Sequence, residues 1–196
     1  MDIVYHGSSI LFDKFDLSHA LEGDGKVKFG FGVYVTDKYA SAAHYAYNEC
    51  RPEITDRYVY TIEVPEITPD NHLFSCRPVA ESIIRRTEEK LGEAIPEEAK
   101  AKGKLFRKYV GNKLIDSKGT VKQLMSKADF EAEKAATAFF DSIGLDFFIW
   151  PQSQAKPDGL KNRAVLDDSK VKIIKVEQVE LDKKLQLIEG SQKQIR

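Results

Sequence analysis

Two short stretches hold the residues whose types and order could do chemistry. One is Tyr5-His6-Gly7-Ser8-Ser9. The other is Phe29-Gly30-Phe31-Gly32-Val33-Tyr34-Val35-Thr36, followed by Ala40-Ser41-Ala42-Ala43-His44-Tyr45-Ala46. A neutral imidazole at His6 can donate a ring N–H to a sugar hydroxyl near neutral pH. Gly7 has no side chain to block a flat amide, so its N–H and C=O can hold a carboxamide by paired hydrogen bonds. Ser8 or Ser9 adds a hydroxyl. Tyr34 and Tyr45 offer two aromatic faces, enough to sandwich a planar ring such as nicotinamide. Gly30 and Gly32 do not make a Rossmann phosphate turn, because the third glycine of that pattern would fall on Val35.

The elements that must position these groups read as strands and a helix. Residues 2–6 are a short β-prone run ending at Gly7, and residues 31–36 alternate as a strand. Asp37 stands where a helix N-cap is expected. Tyr39, Ala42, Ala43 and Ala46 follow at helical spacing, and three alanines on one stripe imply close approach to a sheet. Tyr45 falls on the flank of that stripe, about 110° from its centre at about 100° per residue. It can border a pocket there. Residues 58–64 form a strand ended by Pro65 and Pro69. Residues 79–91, 97–115 and 128–143 read as helices, with Gly144 after the last. The second of these is basic, through Lys100, Lys102, Lys104, Arg107, Lys108 and Lys113. Short strands are expected over 146–150, 163–167 and 171–177, and a final one over 179–188. The segment up to residue 28, with Gly23 and Gly25, reads as a loop. The expected architecture is a single α+β domain over 1–190, with a central helical insertion at about 77–127 and a frayed tail over 191–196.

In this order the motifs resemble the poly(ADP-ribose) polymerase-like branch of the ADP-ribosyltransferase superfamily, closest to its small bacterial and phage members. The resemblance rests on His-Gly-Ser, Gly-Phe-Gly-Val-Tyr-Val-Thr-Asp and Ala-Ser-Ala-Ala-His-Tyr-Ala. It implies a split, mixed β-sheet with flanking helices, and NAD as substrate. It also implies that His6 binds the adenosine-proximal ribose, Gly7 holds the nicotinamide carboxamide, and Tyr34 and Tyr45 stack on nicotinamide. Ser8, Gly32 and Thr36 fall within the matched motifs and join the NAD-binding set. The family's third motif is an acid, usually glutamate, opening a late strand. Its counterpart is Lys161-Asn162-Arg163-Ala164-Val165-Leu166-Asp167-Asp168, which places Asn162 in the catalytic position with His6 and Tyr34. Asparagine accepts a hydrogen bond from a ribose hydroxyl but carries no charge and takes no proton. The site then serves an acceptor that needs no strong base, or Asp167 or Asp168 supplies the charge, or the domain binds NAD without transferring. Asp167 and Asp168 read equally as turn residues. Leu160 stands two positions before Asn162, where the arginine-directed subgroup has an acid or glutamine, and this disfavours arginine as acceptor.

The implied function is mono-ADP-ribosyl transfer from NAD to a macromolecule, first of all a protein. The alternatives are a degenerate module that binds NAD or ADP-ribose and acts by binding a partner, and a nucleic-acid acceptor served by the basic helix. A formal net charge of -1 gives no whole-chain field for nucleic acid or membrane. Cys50 and Cys76 form no CxxC pair, and the four histidines show no HExxH spacing. No signal peptide or membrane span is visible, so the expectation is a cytoplasmic protein.

Overall fold

The computed structural model describes residues 1–19, 27–48, 51–116, 118–126 and 129–196. Gly23, Gly25, Cys50 and Ala128 lie outside the described residues. The strands are β1 (Asp2–Ser8), β2 (Val33–Thr36), β3 (Tyr58–Val64), β4 (His72–Phe74), β5 (Phe147–Pro151), β6 (Lys161–Val165), β7 (Lys172–Gln178) and β8 (Lys193–Gln194). The helices are α1 (Tyr39–Tyr45), α2 (Glu81–Leu91), α3 (Glu97–Lys100), α4 (Gly103–Ile115), α5 (Val121–Ser126) and α6 (Phe130–Ser142). The strands form one mixed sheet in the order β4-β5-β6-β2-β1-β3-β7-β8. Only β4 and β5 run parallel; the other neighbours are antiparallel. The chain is an α+β domain, as its pattern of elements implies.

Each face of the sheet carries a packed layer over part of its width. In β3, Val59 lies on one face and Tyr60, Ile62 and Val64 on the other, all buried. Every residue of β5 is buried. One face of the β5–β6–β2 half carries the helical layer, whose core joins Phe106, Val110, Ala136 and Phe140 to Phe148, Trp150 and Ala164. On the β1–β3 half the same face carries α1, through Ala42, Ala43 and Val59. The opposite face gathers Val4, Val33, Val35, Tyr60 and Val165 beneath Phe12, Phe15 and Leu17 of the segment after β1.

Several expectations are corrected. Asp37 does not cap α1: Lys38 is the N-cap residue, without a side-chain bond. The Asp37 carboxylate instead accepts from the Lys161 backbone N–H at 2.9 Å and from the Arg163 guanidinium at 2.9 Å, tying the end of β2 to β6. The helix expected over 97–115 breaks at residues 101–102, and Gly103, the first residue of α4, passes directly over the backbone of Phe74. In α6 the spacing suggests Phe130, Ala138, Phe139 and Ile143 as anchors; Phe139 is buried but Ala138 is exposed, and the buried stripe is Ala132, Ala136 and Phe140 with Glu133 and Thr137. No strand spans 179–188; Asp182 accepts from the N–H groups of Lys184 and Gln186 and turns the chain. The tail is not frayed. Lys193 and Gln194 pair with Gln178 and Glu177, and the Val176 N–H donates to the Arg196 carbonyl at 3.0 Å. Strands β4 and β8, three and two residues long, are too short to leave a periodic signal.

The expected alanine contact is present. A Cβ placed on Gly7 would sit 1.7 Å from the carbonyl oxygen of Ala42 and 2.8 Å from the nitrogen of Ala46. Both are backbone atoms and cannot swing aside. Gly7→Ala is therefore expected to lower stability by about 3 kcal/mol, at the upper end of overpacking costs. Urea unfolding tests this; a loss below about 0.5 kcal/mol, the range of neutral surface changes, would mean that α1 does not rest on Gly7.

Candidate functional site

The three motif strands are neighbours. Strand β2 lies between β1 and β6, and Thr36 stands opposite Tyr5 on one side and Asn162 on the other. Asn162 in turn stands opposite Trp150. Laterally paired residues share a face of a sheet. Tyr5, Gly7, Tyr34, Thr36, Asn162 and Trp150 therefore lie on the helix-covered face. Tyr5↔Thr36 is the one register pair between β1 and β2 among the described residues, whereas β2 and β6 share four. Beyond it, the His6 imidazole bridges the seam: Nδ1 lies 2.7 Å from the backbone carbonyl oxygen of Tyr34, and as the N–H form it donates to that oxygen.

His6 itself belongs to the opposite face, beside Tyr60. Its ring is enclosed by Phe15 at 5.0 Å, Phe12 at 6.1 Å and Tyr60 at 6.1 Å. Phe12 stacks on Tyr60 at 4.3 Å, and the Tyr60 hydroxyl accepts from the Phe12 N–H and donates to the Ile10 carbonyl. Desolvation among these rings pushes the imidazole below its ordinary 6.5, against the smaller opposing effect of the Tyr34 carbonyl. His6 is thus held neutral, the form that can offer both a donor and an acceptor nitrogen.

Tyr34 is fixed by its own turn. Its hydroxyl accepts from the Phe29 N–H at 3.1 Å and donates to the Gly30 carbonyl at 2.8 Å. Burial pushes the phenol up to about 12, so it is no acid or base at neutral pH. The ring tilts against Trp150 at 5.1 Å, and Trp150 stacks on Phe29 at 4.4 Å. Gly32, at a φ of 153°, lets the turn lie on the backbone of Val165. Tyr45 ends α1 with 64% of its surface exposed, its ring against His44. No ring contact joins Tyr34 and Tyr45 among the described residues. Ser8 Oγ accepts from the Ile10 N–H, and Thr36 is buried.

Asn162 is only 6% exposed, and its carboxamide oxygen has no hydrogen-bond partner among the described residues. Burying such an acceptor unpaired costs about 1–3 kcal/mol. The acids proposed to assist it are elsewhere. Asp167 lies five residues further along, about 16 Å of extended chain. It caps the turn by accepting from the Ser169 N–H, while Asp168 accepts from the Leu17 N–H. Among the described residues, three of the six basic residues over 97–115 are in ion pairs: Arg107 meets Glu133, Lys113 meets Glu93, and Lys100 meets Glu88 and Glu97.

Sequence reasoning missed Trp150, the aromatic cover of His6, and the Arg107–Glu133 pair. The last left a signal, since Arg107 and Glu133 are charged residues at helix positions adjoining the apolar stripes. Among the described residues, no group of three His, Cys, Asp or Glu side chains could hold a metal ion, and no helix is long and apolar enough to cross a membrane. No protein-family model, curated protein or solved structure matches this chain.

The depressed His6 titration has a consequence for stability. The unfolded chain takes a proton as pH falls through 6.5, whereas the folded chain resists until lower pH. Stability is therefore complete above 6.5 and lost as pH falls toward the folded value. His72, also lowered by burial, adds to the same slope. Between neutral pH and about pH 5, wild type is expected to lose more stability than His6→Gln in urea titrations. Equal slopes would show that His6 is not desolvated.

Proposed function

We propose that the seam between β1 and β2 binds NAD and that the domain is a mono-ADP-ribosyltransferase acting on a macromolecular acceptor, in the first place a protein. The observation that carries this reading is the convergence of three motifs on adjacent strands, with Thr36 facing both Tyr5 and Asn162 and the β1–β2 seam parting after one pair. That parting is compatible with a split-sheet arrangement. In it, the Gly7 backbone and Ser8 form one lip, and Gly32 and Tyr34 the other. The Tyr34 hydroxyl is already committed, so its contribution is the ring face rather than a proton. Tyr45, exposed at the end of α1, supplies the second face when a planar ring enters. The neutral His6 imidazole suits a ribose hydroxyl, which requires its aromatic cover to move or to line the ligand.

Asn162 supplies the remaining polar contact. A ribose hydroxyl donating to its unpaired oxygen would complete that atom's hydrogen bonding. Cleavage of the nicotinamide–ribose bond develops positive charge on the sugar, as in glycoside cleavage. An amide dipole stabilises that charge less than a carboxylate does. This favours a second reading, a module that binds NAD or ADP-ribose without transferring it.

Calorimetric titration with NAD, paired with measurement of released nicotinamide in the presence of cell lysate, separates these readings. Wild type is expected to bind NAD, and Asn162→Ala to weaken binding about tenfold, about 1.4 kcal/mol, the value of one hydrogen bond. His6→Ala is expected to weaken it at least as much. Nicotinamide release with ADP-ribose adducts, both lost in Asn162→Ala, supports the transferase. Binding without release supports the module, and no binding rejects both.

A further inference from the structure

The helical layer makes a contact with the candidate site that its apolar core does not require. The turn before β2 is held by two side chains, Arg107 of α4 and Thr137 of α6, with Glu133 of α6 behind Arg107. Arg107 Nη1 donates to the Phe29 carbonyl at 2.8 Å, and Thr137 Oγ1 donates to the Phe31 carbonyl at 2.7 Å. Glu133 accepts from Arg107 Nε at 2.6 Å and from Nη2 at 3.2 Å. Arg107 and Glu133 are 2% and 4% exposed, and the guanidinium lies over the Phe148 ring at 5.1 Å. The same turn binds the Tyr34 hydroxyl through the Phe29 N–H and the Gly30 carbonyl. Gly30 has a φ of 111°, and a Cβ there would sit 2.3 Å from the Phe148 ring. The turn is therefore pinned from the helical side, and it holds the phenol hydroxyl.

A buried ion pair is a poor stabiliser. Removing two charges from water costs several kcal/mol per ion, and well-fitted apolar replacements are often neutral or stabilising. What Arg107 does that an apolar residue cannot is direct an N–H, in fixed planar geometry, at one backbone carbonyl. Glu133 orients the fork that does so.

We infer that Arg107, Glu133 and Thr137 are positioning residues, through which the helical layer sets the Tyr34 ring as one wall of the ligand site. This rests on the NAD-binding reading above. The layer is then part of the site's framework: shifting α4 against α6 moves Phe29, Gly30 and with them Tyr34.

The test uses the full chain carrying Arg107→Met with Glu133→Leu, which removes both charges together and orphans neither. Two readouts are followed: NAD affinity, and the ring-carbon NMR resonance of Tyr34, assigned by Tyr34→Phe. The double variant is expected to unfold cooperatively, to shift the Tyr34 resonance, and to weaken NAD binding about 10- to 100-fold, the scale of an active-site displacement of about 1 Å. Ile83→Ala, in the same apolar core but not bonded to the turn, is expected to lose stability and leave both readouts unchanged. A Tyr34 resonance that stays in place, with NAD affinity within about twofold of wild type, overturns the inference. If the double variant does not fold, Thr137→Val removes the Phe31 bond alone, and the same two readouts decide. Wild type that binds no NAD overturns the functional reading and the positioning role with it. An unmoved Tyr34 in a protein that does bind NAD overturns the positioning role alone.

Discussion

Four residues, Val33–Thr36, join the two halves of the sheet. On one side of β2 lie β6, β5 and β4; on the other lie β1, β3, β7 and β8. The strand meets β6 along its full length and β1 at a single pair. A strand so short cannot hold its own register by backbone bonds, so it is fixed at both ends. Before it, the Phe29–Gly32 turn is bonded by Arg107, Thr137 and Tyr34. After it, Asp37 is bonded to Lys161 and Arg163 of β6, and Arg163 also reaches Asp2 at the start of β1. The chain then enters α1, which returns across Gly7.

This constraint decides what the candidate site can do. Because β2 is central, its alternate residues face two different layers. Tyr34, Thr36 and the partner Asn162 meet the helical face, while His6 meets the aromatic cover on the other side. The link between His6 and Tyr34 is a bond from the ring nitrogen to a backbone carbonyl across the seam. Neither ring offers a charge: burial holds the imidazole neutral and the phenol protonated. The site is thus one of hydrogen bonds and ring faces, which suits recognition of hydroxyls, amides and planar rings better than proton transfer.

Much of this architecture could be read from local pattern. The alternation of Tyr58–Val64 and the prolines after it fix β3 to the residue, and the alanine stripe of α1 predicts its close approach to the sheet. Asp37 shows the limit of such reading. An aspartate ahead of a helix is an N-cap by local rules, but here the buried Arg163 guanidinium of β6 lies within reach, and the Asp37 carboxylate pairs with that cation instead of the helix N–H groups. The break before α4 is equally missed, and it falls where Gly103 lies over the Phe74 backbone. Asp167 looked close to Asn162 by residue count, but a strand carries the chain about 3.3 Å per residue and separates them.

The sequence by itself determined the α+β class, the strands and helix that carry His6, Gly7, Tyr34 and Tyr45, and the neutral residue at Asn162. These are properties of spacing and residue type, which act over a few neighbours. The tertiary structure alone decided which face each side chain meets, that the Tyr34 hydroxyl is spent on its own turn, that His6 is enclosed by Phe12, Phe15 and Tyr60, and that Arg107 and Glu133 reach the site from the helical layer. Such facts depend on strand order and on contacts between residues more than a hundred positions apart, and burial then sets the charge state of each group.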